Sequence, residues 1–170
     1  MELQSNGKIV VVGSCGNTGD GAVARFTSAG ALDTTFSGDG KICQDHGGMI
    51  DAMHELEHPH LRINFDTANI LYYNETINGE IALARICPFV SHMHLKDSHG
   101  EYQDWYFPAL GYGGAVEFVR VLELMDVCGF TGPFSLEIEG IKGEAELSLD
   151  DHHQRIVDSV KHLELCGFLN

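Results

Sequence analysis

Apolar and polar positions along the chain form two patterns, and the change between them falls near residue 48. Before that point, short apolar runs alternate with glycine-containing turns, which is typical of antiparallel strands joined by tight connections. The predicted strands are Lys8 to Gly13, Ala22 to Phe26 and Gly40 to Cys43. Residues 1–47 are therefore predicted to form a short β-hairpin or meander segment.

Strand-like and helix-like stretches alternate over residues 48–170, which is the pattern of βα units built on a parallel sheet. The predicted strands are Leu61 to Asp66, Val90 to Lys96 and Pro133 to Glu139. The predicted helices, which rest on apolar residues at helical spacing, are Met49 to Glu57, Gly79 to Cys87, Ala115 to Cys128 and Leu149 to Cys166. We therefore expect an α/β domain over this part of the chain.

Each predicted strand of the α/β part carries, near its end, side chains that can bind a metal ion. Asp66 ends the first strand, His92 and His94 lie on the second, and Glu137 and Glu139 lie on the third. Because the carboxyl ends of parallel strands converge, these side chains are expected to face a shared cavity. Position alone also fits a helix-capping carboxylate or a structural histidine, so both interpretations stay open at this point.

Composition narrows the range of partners. The chain carries 25 acidic and 10 basic residues, for a net charge of −15, and the basic residues are scattered singly. This balance repels phosphate backbones and anionic membranes, so we expect neither a nucleic-acid nor a membrane partner. The first residues lack the pattern of a signal peptide, which predicts a cytoplasmic protein. Five widely spaced cysteines without a Cys-x-x-Cys pair are expected to be reduced.

The first segment resembles a single delta-60 β-propeller repeat. The resemblance is carried by four stretches: Gln4 to Gly13, Ala22 to Phe26, Gly30 to Phe36 and Gly38 to Lys41. Such repeats normally occur in tandem, because one blade cannot bury both of its faces alone. A single copy must therefore pack on something else, serve as a contact in an oligomer, or remain loosely ordered.

Residues 48–170 resemble the C-terminal half of a sugar phosphate isomerase/epimerase, a xylose isomerase-like TIM barrel of AP endonuclease family 2. The motifs that carry the resemblance are Phe65-Asp-Thr-Ala-Asn69, His92-Met-His-Leu-Lys-Asp97, Ala109-Leu-Gly-Tyr-Gly113 and Ser135-Leu-Glu-Ile-Glu-Gly140. A whole barrel has eight βα units, so the resemblance implies a partial, or half, TIM-type (β/α) barrel.

The resemblance implies a divalent-metal site with Asp66, His94 and Glu137 as ligands. This oxygen-rich set suits Mn²⁺, Mg²⁺ or Co²⁺ and also accepts Zn²⁺. The implied activity is proton transfer next to the carbonyl of a small sugar or sugar phosphate, with Glu137 as the catalytic residue. Four neighbouring polar residues are the implied substrate-binding groups: Asn69, His92, Lys96 and Glu139.

Departures from the family pattern leave a second interpretation open. The family's fourth ligand, a glutamate on strand four, lies outside the part that matches. The alternative is therefore a catalytically inactive fusion or truncated fragment, which at most binds a metal or a polyol. Glu139 replaces Glu137 as the ligand if the strand register shifts by one pleat. The endonuclease branch has a histidine where this chain has Asn69, which disfavours DNA repair.

Half a barrel is expected to leave strand edges unpaired and one apolar face uncovered. Two half-barrels could pair into a closed ring, or the N-terminal segment could shield an edge. We therefore expect a homo-oligomer, in the simplest case a homodimer.

Overall fold

The computed structural model describes residues 2–15, 20–36, 41–43, 46–56 and 61–169, and the chain divides into two compact units. The first unit spans Met1–Arg62 and the second spans Ile63–Asn170. Gly40 and Glu57, which the sequence predicts as ends of a strand and a helix, lie outside the described residues.

The first unit is built on an antiparallel sheet in the order β1-β2-β3-β4. Its strands are β1 (Glu2–Leu3), β2 (Ile9–Cys15), β3 (Asp20–Phe26) and β4 (Lys41–Cys43). The longest pairing joins β2 and β3 over their full length, with Ile9 opposite Phe26 and Cys15 opposite Asp20. The predicted β-hairpin segment is confirmed.

A helix of the same unit, α1 (His46–Leu56), packs against this sheet. Ala52 and Leu56 on α1 form one buried cluster with Val10 and Phe36, and each of the four is at most 5% exposed. Burying these side chains together gives the β segment an apolar core of its own. The single repeat therefore packs on another part of the chain, which is the first of the three outcomes left open by its sequence.

The second unit alternates strands and helices around a parallel sheet in the order β5-β6-β8. Its strands are β5 (Ile63–Asp66), β6 (Val90–Leu95), β7 (Tyr106–Phe107), β8 (Phe134–Leu136) and β9 (Gly140–Ile141), and β7 pairs with β9. Its helices are α2 (Asn69–Tyr72), α3 (Gly79–Ile86), α4 (Phe118–Val127) and α5 (Leu149–Leu165). This is a partial TIM-type α/β fold, as predicted.

The parallel sheet has one apolar and one polar set of alternating side chains. Phe65, Met93 and Leu95 are at most 5% exposed. Their neighbours along the strands, Asp66 after Phe65 and His94 between Met93 and Leu95, are only partly buried. Successive side chains on a strand point to opposite faces, so the polar residues share one face. The expectation of an uncovered apolar face is therefore wrong for β5 and β6, whose apolar side chains are buried, whereas Phe134 on β8, which is paired with Met93, is 37% exposed. The other face carries the ionisable residues.

Cys87 and Cys128 form a disulfide, with their Cα atoms 6.3 Å apart and a sequence separation of 41 residues. Each is the C-terminal cap of a helix, Cys87 of α3 and Cys128 of α4. The expectation that all five cysteines are reduced is therefore wrong for this pair, because wide spacing along the chain does not show which helix ends lie side by side. Cys166 is a free thiol.

The longest described helix is α5, with 17 residues. It begins at a capping box, in which the Ser148 side chain accepts from the backbone N–H of Asp151 and the Asp151 carboxylate accepts from the backbone N–H of Ser148. Neither α5 nor any other helix in the described part of the chain is long and apolar enough to cross a membrane.

Candidate metal centre

The Asp66 carboxylate, at the end of β5, has one satisfied and one unsatisfied oxygen. Its Oδ1 accepts from the backbone N–H groups of Ala68 and Asn69, at 2.9 and 2.8 Å, and so caps the turn into α2. Its Oδ2 is buried and has no hydrogen-bond partner among the described residues. Burial raises the pKa of Asp66 above its ordinary value, although the Asn69 N–H and the Lys96 charge oppose the shift. A buried orphan oxygen of this kind is uncommon and indicates a missing cation or donor.

His94 and Glu137 present donor atoms to the unsatisfied oxygen. His94 Nδ1 lies 3.7 Å from Asp66 Oδ2 and is in contact with Glu137 Oε2. One ligand atom from each of the three residues can be chosen so that all three atoms lie within 4.8 Å of one another. One imidazole nitrogen and two carboxylates are ligands that Mn²⁺, Co²⁺ and Zn²⁺ accept. The donor set therefore fits a divalent metal ion.

Strand register brings these three side chains together. Asp66 is paired with His94 across β5 and β6, and His94 is paired with Ser135 across β6 and β8. The Glu137 N–H donates to the Leu95 carbonyl at 3.1 Å, which continues the β6 to β8 ladder past the end of β8. The three residues thus lie on neighbouring strands at nearly the same height, as parallel strand ends allow.

Lys96 lies beside the three residues as a buried cation, 1% exposed. Its Nζ donates to Glu137 Oε1 at 3.1 Å, to Asn69 Oδ1 at 3.2 Å and to the Glu139 carboxylate. It also lies 4.2 Å from the centroid of the Phe107 ring. Burial opposes the charged form of Lys96, but the carboxylates of Glu139, Asp66 and Glu137 outweigh it and raise the pKa of the ammonium. Lys96 is thus the internal counter-ion of this acidic cluster.

The other predicted site residues take two different places. Asn69 and Glu139 bind Lys96 and so lie next to Glu137. His92 is turned to Ser135, with Nε2 and Oγ 2.7 Å apart, and its ring centroid is 5.0 Å from that of His94. The structure therefore places Asn69, Lys96 and Glu139 together beside the three candidate ligands, and pairs His92 with Ser135.

Comparison of the sequence with protein-family profiles shows which families the chain matches. The sequence profile of the xylose isomerase-like TIM barrel matches residues 31–166. The chain belongs to this family. A second profile, described as a β-propeller domain of unknown function, matches residues 4–36. Both resemblances seen in the sequence are thereby confirmed.

A solved member of the same fold is also similar. It is the crystal structure of a xylose isomerase domain protein from Planctomyces limnophilus, with a TM-score of 0.54 and 27% sequence identity over 72% of this chain. The match covers 42% of that protein, so the chain spans less than half of its length. A search of curated proteins found no match.

Two residues that support the xylose isomerase-like site were absent from the sequence predictions. Thr67 Oγ1 donates to the Lys96 carbonyl at 2.6 Å and accepts from the Lys96 N–H at 3.0 Å, which fastens the end of β5 to the end of β6. The Asn64 side-chain amide lies 3.4 Å from His94 Nε2, where it can hold the ring in orientation. Asn64 shares the strand face of Asp66 by period two, and that spacing is the signal that would have found it.

Proposed function

We propose that this xylose isomerase-like protein is a metal-dependent sugar isomerase or epimerase, which moves a proton next to the carbonyl of a small sugar or sugar phosphate. The observation that carries the proposal is the buried, unpartnered Oδ2 of Asp66, which lies among the donor atoms of His94 and Glu137. Family membership supports the reaction class, and the polar donor set supports the metal.

Asp66, His94 and Glu137 would hold the divalent ion, which we propose to be Mn²⁺, Mg²⁺, Co²⁺ or Zn²⁺. When bound, such an ion polarises the substrate carbonyl and the adjacent hydroxyl, which makes the neighbouring C–H more acidic. The remaining coordination positions would be open to water or to sugar oxygens, as in catalytic metal sites with three protein ligands.

The side chains around Lys96 would bind and orient the sugar. Glu137 is the proposed proton-transfer residue, and its Oε1 accepts a hydrogen bond from the Lys96 ammonium at 3.1 Å. Asn69 uses its amide oxygen on Lys96, so its NH₂ group is left to donate to a sugar hydroxyl. Glu139, with a side chain 37% exposed, is the proposed acceptor for a second hydroxyl, and His92 completes the proposed substrate-binding set.

The second candidate is a protein that binds a metal or polyol without turning it over. Two observations favour it: the chain spans 42% of the related crystal structure, and the described site supplies three ligands. Proton transfer needs both an acid and a base in position. Among the described residues we assign one proton-transfer carboxylate, Glu137, and no second one.

Metal binding is tested by thermal unfolding of the purified protein in Mn²⁺, Co²⁺ and Zn²⁺. An ion at about 100 times its dissociation constant should stabilise the wild type by about 2.7 kcal/mol. The variants Asp66→Asn and His94→Ala should lose this shift. Asp66→Asn is chosen because its amide oxygen can still accept from the backbone N–H groups of Ala68 and Asn69. The exposed Asp126→Asn and His153→Ala serve as matched controls and should retain the shift.

Equal unfolding temperatures with and without metal in the wild type would end the proposal. If the metal binds, a panel of ketoses and aldoses, with and without phosphate, then separates the two candidates. Conversion of one sugar supports the isomerase, and a metal-loaded protein that converts none supports the binding protein.

We also propose a cytoplasmic homodimer. In the described sheet, β5 and β8 each pair on one side only, which leaves two edges of the parallel sheet available for a second copy. Light scattering of the purified protein should give twice the 18.6 kDa mass of one chain. A monomer at all concentrations tested would contradict this proposal and leave the metal site unaffected.

A further inference from the structure

Asp97 is a buried carboxylate that the proposed metal site does not use. It follows Lys96 at the end of β6, and its side chain is 1% exposed. It forms no ion pair among the described residues. Its partners are backbone N–H groups: Oδ1 accepts from Ser98 at 3.0 Å and from Val116 at 3.2 Å, and Oδ2 accepts from Gly111 at 2.9 Å. Burying a carboxylate without a cation is costly, so these hydrogen bonds must support the structure around it.

These hydrogen bonds close residues 98–116 into a loop. The loop is sealed where the Ala115 N–H donates to the Ser98 carbonyl at 2.7 Å. Gly114 lies so close to Asp97 that a Cβ atom there would be 1.9 Å from Oδ1. The beginning of the loop, its end and its Gly111 turn thus all meet at one side chain.

The closed loop carries the aromatic ring that lies against Lys96. Phe107, near the middle of the loop, is 1% exposed and is paired with Gly140 in the β7–β9 ladder. Its ring centroid lies 4.2 Å from Lys96 Nζ, which in turn lies 3.1 Å from Glu137 Oε1. Direct contacts therefore run from the loop to a proposed metal ligand.

We propose that Asp97 is a positioning residue of the site. By closing the 98–116 loop it fixes Phe107, and through Phe107 and Lys96 it sets the orientation of the Glu137 carboxylate. This inference rests on the proposed metal site. It assigns to Asp97 a role that requires no contact with the metal or the sugar.

The chain contains a built-in reporter for this loop. Trp105 is its sole tryptophan and is 39% exposed. Its ring lies 5.2 Å from Phe107 and 5.9 Å from Tyr72, centroid to centroid. Tryptophan fluorescence and its quenching by acrylamide therefore report whether the loop stays in place.

Two variants disturb the closure in different ways. Asp97→Asn turns an N–H donor toward a backbone donor, and Gly114→Ala pushes a methyl group into the carboxylate. In both variants we expect greater acrylamide quenching of Trp105 and a Mn²⁺ dissociation constant raised about tenfold, as when an outer-shell partner of a ligand is removed. Asp104→Asn, in the same loop, is the matched control. The half-exposed Asp104 carboxylate contacts His99, so this substitution should leave the Trp105 quenching and the Mn²⁺ dissociation constant unchanged.

The route through Lys96 is tested with the double variant Asp97→Asn/Lys96→Met. If Asp97 acts through Lys96, adding Asp97→Asn to Lys96→Met should change the Mn²⁺ dissociation constant little, since the effects of coupled residues are not additive. If the effects of Asp97→Asn and Lys96→Met on the Mn²⁺ dissociation constant were fully additive, the inference would be overturned. Unchanged Mn²⁺ affinity in folded Asp97→Asn and Gly114→Ala would also overturn it, and in both cases the metal site would remain. If the wild type binds none of Mn²⁺, Co²⁺ and Zn²⁺, the proposed function fails. Unchanged Trp105 quenching in the two variants would refute the loop closure as well.

Discussion

Replacing Cys128 with serine is expected to lower the free energy of unfolding of the second unit by about 4 kcal/mol. The disulfide with Cys87 joins residues 41 apart in sequence, and the chain-entropy relation gives this value for a loop of that length. The bond ties the C-terminal end of α3 to that of α4, two helices that pack on each other. Urea unfolding under non-reducing conditions measures the difference.

Cys166→Ser is the matched control for this prediction. Cys166 is a free thiol, so its replacement should leave the unfolding midpoint of the oxidised protein nearly unchanged. A reductant should lower the midpoint of the wild type and of Cys166→Ser, and should have no effect on Cys128→Ser. Equal stability of the wild type and Cys128→Ser without reductant would contradict the prediction.

The same disulfide bears on the compartment in which the protein works. Disulfides are rare in a reducing cytoplasm, so the bond between Cys87 and Cys128 argues against the proposed cytoplasmic location. Peptide mapping after alkylation of intact cells would show whether Cys87 and Cys128 are linked. A linked pair would contradict the cytoplasmic prediction.

The longer elements of the second unit are readable from sequence because local patterns determine them, whereas the short α2 and the β7–β9 pair were not predicted. β6 was predicted from Val90 to Lys96 and runs Val90–Leu95, since buried apolar residues alternate there with polar ones. The same alternation put Asp66, His94 and Glu137 at strand ends, and the parallel topology brought them together. Local pattern and fold class thus bring the candidate side chains to one sheet edge, and the family resemblance selects Asp66, His94 and Glu137 among them.

The pattern of apolar and polar residues does not predict contacts between residues that are distant in sequence. α1 reads as part of the βα region, yet it packs on the first sheet, because Ala52 and Leu56 meet Val10 and Phe36 across more than 15 residues of chain. Asp97 follows Lys96 in the family motif, but its sequence gives no sign of its three backbone donors. Outside a helix cap, an acidic residue type does not show which distant N–H groups it will accept from, so this role of Asp97 emerges only from the structure.

Replacing Lys96 with methionine is expected to destabilise the metal-free protein by about 3 kcal/mol at pH 7. The ammonium is buried and contacts Glu137 and Glu139, so its removal leaves two carboxylates next to Asp66 without a cation. Breaking a buried pair costs about 3–5 kcal/mol, and the lower end applies because solvent reaches both glutamates, whose side chains are 29% and 37% exposed. Methionine keeps most of the volume beside Phe107, which isolates the loss of charge.

The pH dependence of this difference identifies its electrostatic origin. The pKa of Lys96 is raised above the ordinary lysine value of 10.5 by the neighbouring carboxylates, so the folded state binds the proton more tightly than the unfolded state. Its contribution is therefore fully present below pH 10.5 and is lost as the pH rises through the higher folded pKa, where wild type and Lys96→Met should converge in urea unfolding. Lys161→Met, at a lysine 62% exposed and 3.5 Å from Asp158, is the control and should cost less than about 1 kcal/mol. A difference between wild type and Lys96→Met that stayed constant through alkaline pH would assign the loss to packing, and Lys96 would then not be the counter-ion of the acidic cluster.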